Sequence, residues 1–233
     1  MRYLIEVKGA SKSYSVQANV LKKIDLNIEE KTFNVLLGQS GSGKSTLLNI
    51  MSGLLSPTSG ATYIDKADIN HLSEKKLAEI RRNRISNIYQ DYMLLSELTV
   101  RENIELGKGK DNIPLNELTD ALGISDLLDK YPSQLSGGQR QRTAIARAVI
   151  KKPEVLFCDE ATGALDEENS RLVVKLLHDL KDKYGITIVF ATHNLKISMT
   201  ADRVITLKDG SIEKDEKNLS PRSPMDIDWG IGS

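Results

Sequence analysis

Apolar and polar residues alternate along this chain with two different periods. Short apolar runs bounded by polar residues predict buried strands, and apolar residues at helical spacing predict helices between them. The strand candidates are 33–37, Ile85–Tyr89, 155–158 and 187–191, and the clearest helix candidates are Lys44–Met51, 137–150 and Glu167–Tyr184. In the last of these, aliphatic residues share one face: Leu172, Val173, Leu176, Leu177 and Leu180. Because strands and helices alternate, the pattern predicts an α/β domain with a largely parallel core sheet.

The beginning and the middle of the chain depart from this alternation. Residues 2–8, 25–28 and 61–64 have strand character and predict an N-terminal antiparallel β lobe. Over about residues 92–150 the pattern is helical, with helix candidates at 100–106 and Leu115–Leu122, and is broken by glycine and proline. This stretch predicts a short helical subdomain inserted into a single domain of residues 1–217.

The last segment of the chain, residues 218–233, follows neither period. It is mostly polar and includes two prolines, a composition typical of a flexible C-terminal tail. Two apolar residues within it, Ile227 and Trp229, are candidates for docking on a neighbouring subunit.

A glycine-rich segment lies between the strand candidate 33–37 and the helix candidate Lys44–Met51. Glycine lets backbone N–H groups approach phosphate oxygens, and this strand, loop and helix order is the context of the G-x-x-x-x-G-K-[ST] phosphate loop. In such a loop Lys44 reaches the β- and γ-phosphates of ATP, and the Ser45 hydroxyl binds Mg²⁺. The candidate nucleotide-binding residues are Gly38, Ser40, Gly41, Ser42, Gly43, Lys44, Ser45 and Thr46. The alternative is a turn that only joins strand and helix.

Two acidic residues follow the apolar run 155–158. A buried strand that ends in acid places the charge at the carboxyl edge of the sheet, where ligands bind in open α/β folds. There Asp159 can hold Mg²⁺, and Glu160 can polarise a water for attack on the γ-phosphate. The alternative is that both acids simply begin a surface loop.

The string Leu135-Ser136-Gly137-Gly138-Gln139 opens the helix candidate 137–150, with Ser136 at the position of an N-cap. Few phosphate-binding proteins carry this string, and it lies between the phosphate loop and the acidic pair. With these motifs in this order, residues 3–214 resemble the nucleotide-binding subunit of an ATP-binding cassette (ABC) transporter. The resemblance implies a P-loop NTPase fold of ABC type that hydrolyses ATP with Mg²⁺.

The resemblance also implies a head-to-tail homodimer that encloses two ATP molecules. The residues of one copy that would face the phosphate loop of the other are Ser136, Gly137, Gly138 and Gln139. Asp166 would belong to the loop that crosses the dimer interface, although it also has the position of a helix N-cap.

Three more residues receive roles from the resemblance alone. Gln90 would sense Mg²⁺ and the attacking water, His193 would contact the γ-phosphate, and Tyr14 would stack on adenine. Without the other motifs, a lone histidine at a strand end is more often structural, and a tyrosine in a β lobe more often packs in the core.

Two further strings are typical of one branch of the family: Tyr131-Pro132-Ser133-Gln134 and Thr162-Gly163-Ala164-Leu165-Asp166. They are similar to ATPases of the lipoprotein-release, macrolide-export and antimicrobial-peptide branch, which implies an integral membrane permease as partner and a peptide, lipid-linked or hydrophobic substrate. A cell-division regulator of the same branch and a soluble ABC ATPase of an assembly system, such as iron–sulfur cluster building, stay open as alternatives. Ala161 stands where many relatives have proline, and we expect hydrolysis to survive this change because no polar catalytic group is lost.

Composition agrees with a nucleotide-dependent subunit. The 233 residues contain 32 basic and 32 acidic side chains, a balance that argues against nucleic acid as a partner. No apolar stretch approaches the ~18 residues of a membrane span, and the single Cys158 gives no disulfide framework. We therefore expect a cytoplasmic protein that reaches the inner face of the cell membrane through its permease.

Overall fold

The computed structural model describes residues 2–14 and 19–230, which form two β-sheets surrounded by helices. The strands are β1 Tyr3–Ser13, β2 Asn19–Glu29, β3 Phe33–Leu37, β4 Ser59–Ile64, β5 Ala67–Asp68, β6 Ile85–Tyr89, β7 Val155–Asp159, β8 Thr187–Thr192, β9 Arg203–Lys208 and β10 Ser211–Lys217. The helices are α1 Lys44–Met51, α2 Glu74–Arg84, α3 Val100–Glu105, α4 Leu115–Leu122, α5 Gly137–Val149, α6 Glu167–Tyr184 and α7 Leu195–Ser198.

The larger sheet has the strand order β10-β9-β3-β8-β7-β6. Every neighbouring pair in it is parallel except β9 and β10, which form an antiparallel pair at one edge. Its strands β3, β7 and β8 are almost entirely buried because helices or the second sheet cover both faces. The prediction of a largely parallel core sheet is confirmed.

The smaller sheet, in the order β2-β1-β4-β5, is antiparallel throughout. The predicted N-terminal β lobe is therefore confirmed, although β1 and β2 are longer than the apolar residues alone indicated. On β2 the buried residues Ile24, Leu26 and Ile28 alternate with more exposed polar residues, so that one face of the sheet meets the core and the other meets solvent.

The larger sheet separates two apolar clusters. Along β7, Leu156 and Cys158 belong to the cluster shared with the helices, whereas Val155 and Phe157 belong to the cluster shared with the β lobe and α1. Successive side chains of a strand point to opposite faces, which explains this division. Strand β7 is thus held on both sides by packed aliphatic and aromatic groups.

Helices α3 and α4 pack on α5 through the helix-side cluster, which includes Val100, Ile104 and Leu118. Helix α4 has the predicted limits, and α3 is one residue shorter than predicted. Helix α3 begins in a capping box formed by Thr99 and Glu102, which fixes where the chain turns into the helix. The limits of the helical subdomain and of the 1–217 domain remain predictions.

The described part of the tail, 218–230, packs on the rest of the chain, whereas the sequence led us to expect a flexible segment. Trp229 is 2% exposed and Ile227 is 7% exposed, and both belong to the helix-side cluster. The indole Nε1 donates to the Pro224 carbonyl at 2.8 Å, which satisfies its one donor inside the core. The two residues therefore dock on their own chain, and burial of an entire indole outweighs the polar character of the segment.

His178 on α6 gives the protein a pH-dependent stability. Its ring stacks on Phe33 at a centroid distance of 4.1 Å, and its Nε2 lies 3.1 Å from Thr200 Oγ1. Burial, and less so the Lys181 charge, lowers the pKa of His178 from 6.5 to about 4. The stability from neutral His178 is therefore complete above pH 6.5 and is lost as the pH falls towards 4.

We expect the free energy of unfolding to decrease by about 2 kcal/mol between pH 7 and pH 5 through His178 alone. The substitution His178→Phe keeps a ring against Phe33 and removes the titrating group. Urea unfolding at both pH values should therefore give a smaller decrease in the variant. Parallel pH dependence in the two proteins would contradict this assignment.

Candidate functional site

Three adjacent strands of the larger sheet end at one site. The phosphate loop, residues 38–46, follows β3, His193 follows β8, and Asp159 ends β7. Since β3, β8 and β7 are parallel neighbours, the residues after their carboxyl ends lie together at the same sheet edge.

In the phosphate loop, two backbone carbonyls bind the lysine ammonium group. Lys44 Nζ donates to Gly38 O at 2.8 Å and to Gln39 O at 3.0 Å, and the side chain is 6% exposed. Gly43 has φ +103°, and a methyl group at its Cα would lie 2.7 Å from Leu21 Cδ2, so this position requires glycine. Among the residues that the structure describes, the Ser42 Oγ is buried and has no hydrogen-bond partner. A ligand rich in oxygen would supply acceptors for both side chains.

Ser45 and Asp159 form a pair of oxygen groups beside this loop. Ser45 Oγ donates to Asp159 Oδ1 at 2.9 Å, and this bond joins the start of α1 to the end of β7. Burial raises the pKa of the Asp159 carboxyl, with the neighbouring Glu160 charge adding to the effect, and the Ser45 hydrogen bond opposes it. A cation placed next to Asp159 would favour its charged form.

Glu160 lies between a lysine and a histidine. Its Oε1 is 3.7 Å from Lys44 Nζ, and its Oε2 is 3.1 Å from His193 Nδ1. Glu160 has φ +49°, a left-handed conformation that is uncommon outside glycine, and its N–H donates to Ala191 O on β8 at 3.1 Å. The hydrogen bond to β8 therefore holds the Glu160 backbone in a strained conformation, which places its carboxylate at the edge of the site.

Gln90 follows β6 and lies beside the turn that Glu160 begins. A methyl group built on Gly163 would be 3.1 Å from Gln90 Nε2, and Gly163 N donates to Glu160 O at 2.8 Å. In the described part of the chain no hydrogen bond joins Gln90 to Ser45 or Asp159. The predicted contact of Gln90 with Mg²⁺ therefore remains a prediction.

The segment 135–139 is fixed by a capping box at the start of α5. Gln139 N donates to Ser136 Oγ at 3.3 Å, and Ser136 N donates to Gln139 Oε1 at 2.9 Å. A methyl group on Gly138 would lie 2.3 Å from Asn169 Oδ1, so α5 starts directly against α6. Asp166 caps α6 by accepting from Asn169 N at 2.8 Å.

The structure brings together only part of the predicted site. One contact joins Ser45 to Asp159, and two more join Glu160 to Lys44 and His193. Because residues 44 and 45, and 159 and 160, are adjacent in the chain, these five residues form one connected group. Within residues 2–14 and 19–230, no hydrogen bond or ion pair links the segment 135–139 or Asp166 to the phosphate loop.

Tyr14 also lies outside the connected group. It follows β1 with 63% of its surface exposed, and Lys12 Nζ lies 5.5 Å from its ring centroid. An exposed ring of this kind is free to stack on a planar ligand. Its predicted contact with adenine stays a prediction.

The sequence matches the model of the ABC transporter family over residues 21–163. The chain therefore belongs to the ABC transporter family. Its phosphate loop, helical insertion and segment 135–139 all lie within the matched range. The resemblance inferred from the motifs is confirmed at the level of the family and of the fold.

Relatives of this ABC domain include proteins of similar length and proteins about twice as long. It is 43% identical over 97% of its length to an ABC transporter ATP-binding protein of Mycoplasma pneumoniae, the MG065 homolog, and spans about half of that relative (50%). It is 39% identical over 90% of its length to the bacitracin export ATP-binding protein BceA of Halalkalibacterium halodurans, of which it covers 87%.

A solved structure of the cassette MJ0796 of Methanocaldococcus jannaschii is also similar, with a TM-score of 0.82 and 36% identity. The match covers 91% of this chain and 98% of that one. That structure is a dimer in a post-hydrolysis state, bound to ADP and phosphate.

The oxygen groups of this ABC domain fit a magnesium ion. Mg²⁺ prefers oxygen ligands and keeps several waters and substrate phosphates in its shell, so one hydroxyl and one carboxylate are enough protein ligands. Ser45 and Asp159 supply that pair. The described residues hold no group of three or more histidine, cysteine or acidic side chains that could bind a metal without a nucleotide.

Two residues beside the site carry no motif signal of their own. Asn169 donates its side-chain amide to Asp166 Oδ2 at 2.7 Å and lies against Gly138. Tyr92 has its hydroxyl 3.3 Å from where a methyl group on Gly137 would lie. The adjacent glycines Gly137 and Gly138 were the only sequence sign that other side chains approach the start of α5 closely.

Replacing Lys44 by alanine in this ABC domain should weaken ATP binding about 10- to 100-fold, because a charged donor to phosphate contributes about 1.5–3 kcal/mol. Titration with a fluorescent ATP analogue measures the dissociation constant. The exposed Lys75 on α2 provides the matched control Lys75→Ala, which should bind as the wild type does. Equal affinity of Lys44→Ala and the control would exclude Lys44 from the phosphate site.

Proposed function

We propose that this chain is the ATP-hydrolysing motor subunit of an ABC transporter. One observation carries the proposal: Lys44, Ser45, Asp159, Glu160 and His193 converge at the carboxyl edge of β3, β7 and β8. Phosphoryl transfer to water requires a cationic side chain that can bind phosphate oxygens, a pair of oxygen groups that can hold Mg²⁺ and a positioned carboxylate.

In this mechanism the chain supplies position and charge. On ATP binding, Lys44 Nζ exchanges the carbonyls of Gly38 and Gln39 for phosphate oxygens, a replacement that leaves no donor unpaired. Ser45 and Asp159 would hold Mg²⁺, which would supply positive charge beside the phosphates. Glu160 accepts a proton from the attacking water, and His193 orients the Glu160 carboxylate through the contact at Nδ1.

The second half of each site comes from another copy of the domain in our proposal. Ser136 Oγ accepts the cap bond from Gln139 N, and a hydroxyl keeps its proton free to donate to a phosphate oxygen. The start of α5 adds its N-terminal partial positive charge. The dimeric MJ0796 structure, bound to ADP and phosphate, supports a homodimer, and the head-to-tail arrangement around two ATP molecules is part of our proposal.

The partner we propose is an integral membrane permease. No helix in the described part of the chain has the length and hydrophobicity needed to cross a bilayer. We propose export of a peptide, lipid-linked or hydrophobic substrate, with this subunit at the cytoplasmic face of the membrane. The name of BceA, a bacitracin export ATP-binding protein, supports the export role.

Light scattering after size exclusion tests this proposal on Glu160→Gln with and without Mg-ATP. We expect a monomer without nucleotide and a dimer with it. The variant keeps the groups that bind ATP but cannot hydrolyse it, so the ATP-bound dimer should accumulate. Ser136→Arg added to Glu160→Gln should bind ATP and stay monomeric. Ser73→Arg is the matched control, since Ser73 also caps a helix, α2, and its loss should leave the dimer intact. A monomer with bound ATP in Glu160→Gln, or a dimer that survives Ser136→Arg, would refute the two-site arrangement.

A further inference from the structure

A charged cluster lies outside the site just described, at the start of α6. Lys196 Nζ donates to Glu167 Oε1 at 3.0 Å and to the Trp229 carbonyl at 2.6 Å. Three distant parts of the chain therefore meet at one ammonium group. None of the motifs in the sequence includes Lys196, Glu167 or Trp229.

Two of the three parts that meet at Lys196 continue into predicted functional loops, and the third is the end of the described chain. Glu167 is the first residue of α6 and follows Asp166, which caps that helix. Lys196 lies in α7, three positions after His193, and its backbone N–H donates to Asn194 Oδ1 at 2.8 Å. The ammonium thus joins the loop of His193 to the loop of Asp166.

The third part is the docked tail, residues 218–230, which crosses α7 to reach this cluster. Asn218 N donates to Asp202 O at 2.9 Å, and Arg222 N donates to Met199 O at 3.0 Å. The turn Pro224–Asp226 packs on α6, and the buried Trp229 then presents its carbonyl to Lys196. The tail therefore closes over α7 and holds it against α6.

We propose that Lys196 is a positioning residue that fixes the loop of His193 relative to the loop of Asp166 and to the tail. This inference rests on the proposed function, because it gives both loops a role in hydrolysis. Glu167 and Lys196 are 52% and 32% exposed, and an ion pair so open to solvent contributes little to folding. Its effect is instead on geometry, where a displacement of about 1 Å can reduce turnover strongly.

The test compares steady-state ATP hydrolysis by the full chain in wild type, Lys196→Met and Lys196→Arg. We expect kcat to fall about 5- to 10-fold in Lys196→Met, with the ATP dissociation constant and the unfolding midpoint near wild type. Lys196→Arg should recover most of the rate, because guanidinium can donate to both acceptors. Lys175→Met is the matched control: it removes another α6 ion pair, with Asp179, away from the cluster.

The outcomes separate this inference from the proposed function. Wild-type hydrolysis that Glu160→Gln abolishes supports the function whatever Lys196 does. If Lys196→Met then keeps a rate within twofold of wild type, or if Lys196→Arg is as slow as Lys196→Met, the positioning role is wrong. An equal loss of rate in Lys175→Met would also overturn it, since the effect would not depend on the cluster.

Discussion

Replacing Glu160 by glutamine should slow ATP hydrolysis by at least about 100-fold while ATP still binds, since a general base contributes about 10²–10⁴-fold to a rate. Glutamine has nearly the same shape as glutamate, so the phosphate loop and the end of β7 should keep their positions. It cannot accept the proton of the attacking water. The binding of ATP depends mainly on Lys44 and the loop amides, which the substitution leaves intact.

A coupled assay of phosphate release, with ATP affinity measured on the same samples, checks this expectation. Glu216→Gln is the control, because Glu216 lies exposed on β10, away from the site, and should hydrolyse ATP at the wild-type rate. Turnover of Glu160→Gln within tenfold of this control would show that another group takes the proton.

Replacing Trp229 by alanine should reduce the free energy of unfolding by about 3 kcal/mol. The indole is 2% exposed in the helix-side cluster, and its Nε1 bond to Pro224 would be lost with it. A cavity would remain beneath the tail, where α6 and α7 cannot close it without moving. The expected loss is a large fraction of the ~5–15 kcal/mol that stabilises a typical domain.

Urea denaturation followed by circular dichroism measures this effect, and Leu219→Ala provides the comparison. Leu219 lies in the same tail with 92% of its surface exposed, so its truncation should change stability by less than ~0.5 kcal/mol. If both variants unfold at the same urea concentration, the tail adds nothing to the stability of the folded chain.

Much of the fold follows from local signals in the sequence. The predicted limits of α1, α4 and α6 match the structure because each helix has a turn signal at its end, such as the left-handed glycine Gly185 after α6. The core strands were predictable because both their faces are buried and their apolar runs are continuous. Strands β1 and β2 were predicted too short, since their outer faces are polar and only their inner faces carry the signal.

The candidate site was predictable where chemistry demands particular residues next to each other in sequence, as in residues 38–46. The tail was not, because the burial of Trp229 depends on a surface built by α6 and α7, which lie far away along the chain. The role we propose for Lys196 was equally unpredictable from the sequence, because it depends on partners such as Glu167 that only the fold brings close to it. Contacts across the sequence decide these features, and local patterns do not report them.

Strand β7 joins the candidate site to both apolar clusters. Its side chains belong to two separate clusters. Leu156 and Cys158 lie in the helix-side cluster, and Val155 and Phe157 lie in the cluster shared with the β lobe and α1. Close-packed interiors transmit displacement with little loss. A displacement of Asp159 or Glu160 would therefore reach both clusters at once, because the strand that leads to these two residues is packed into each of them.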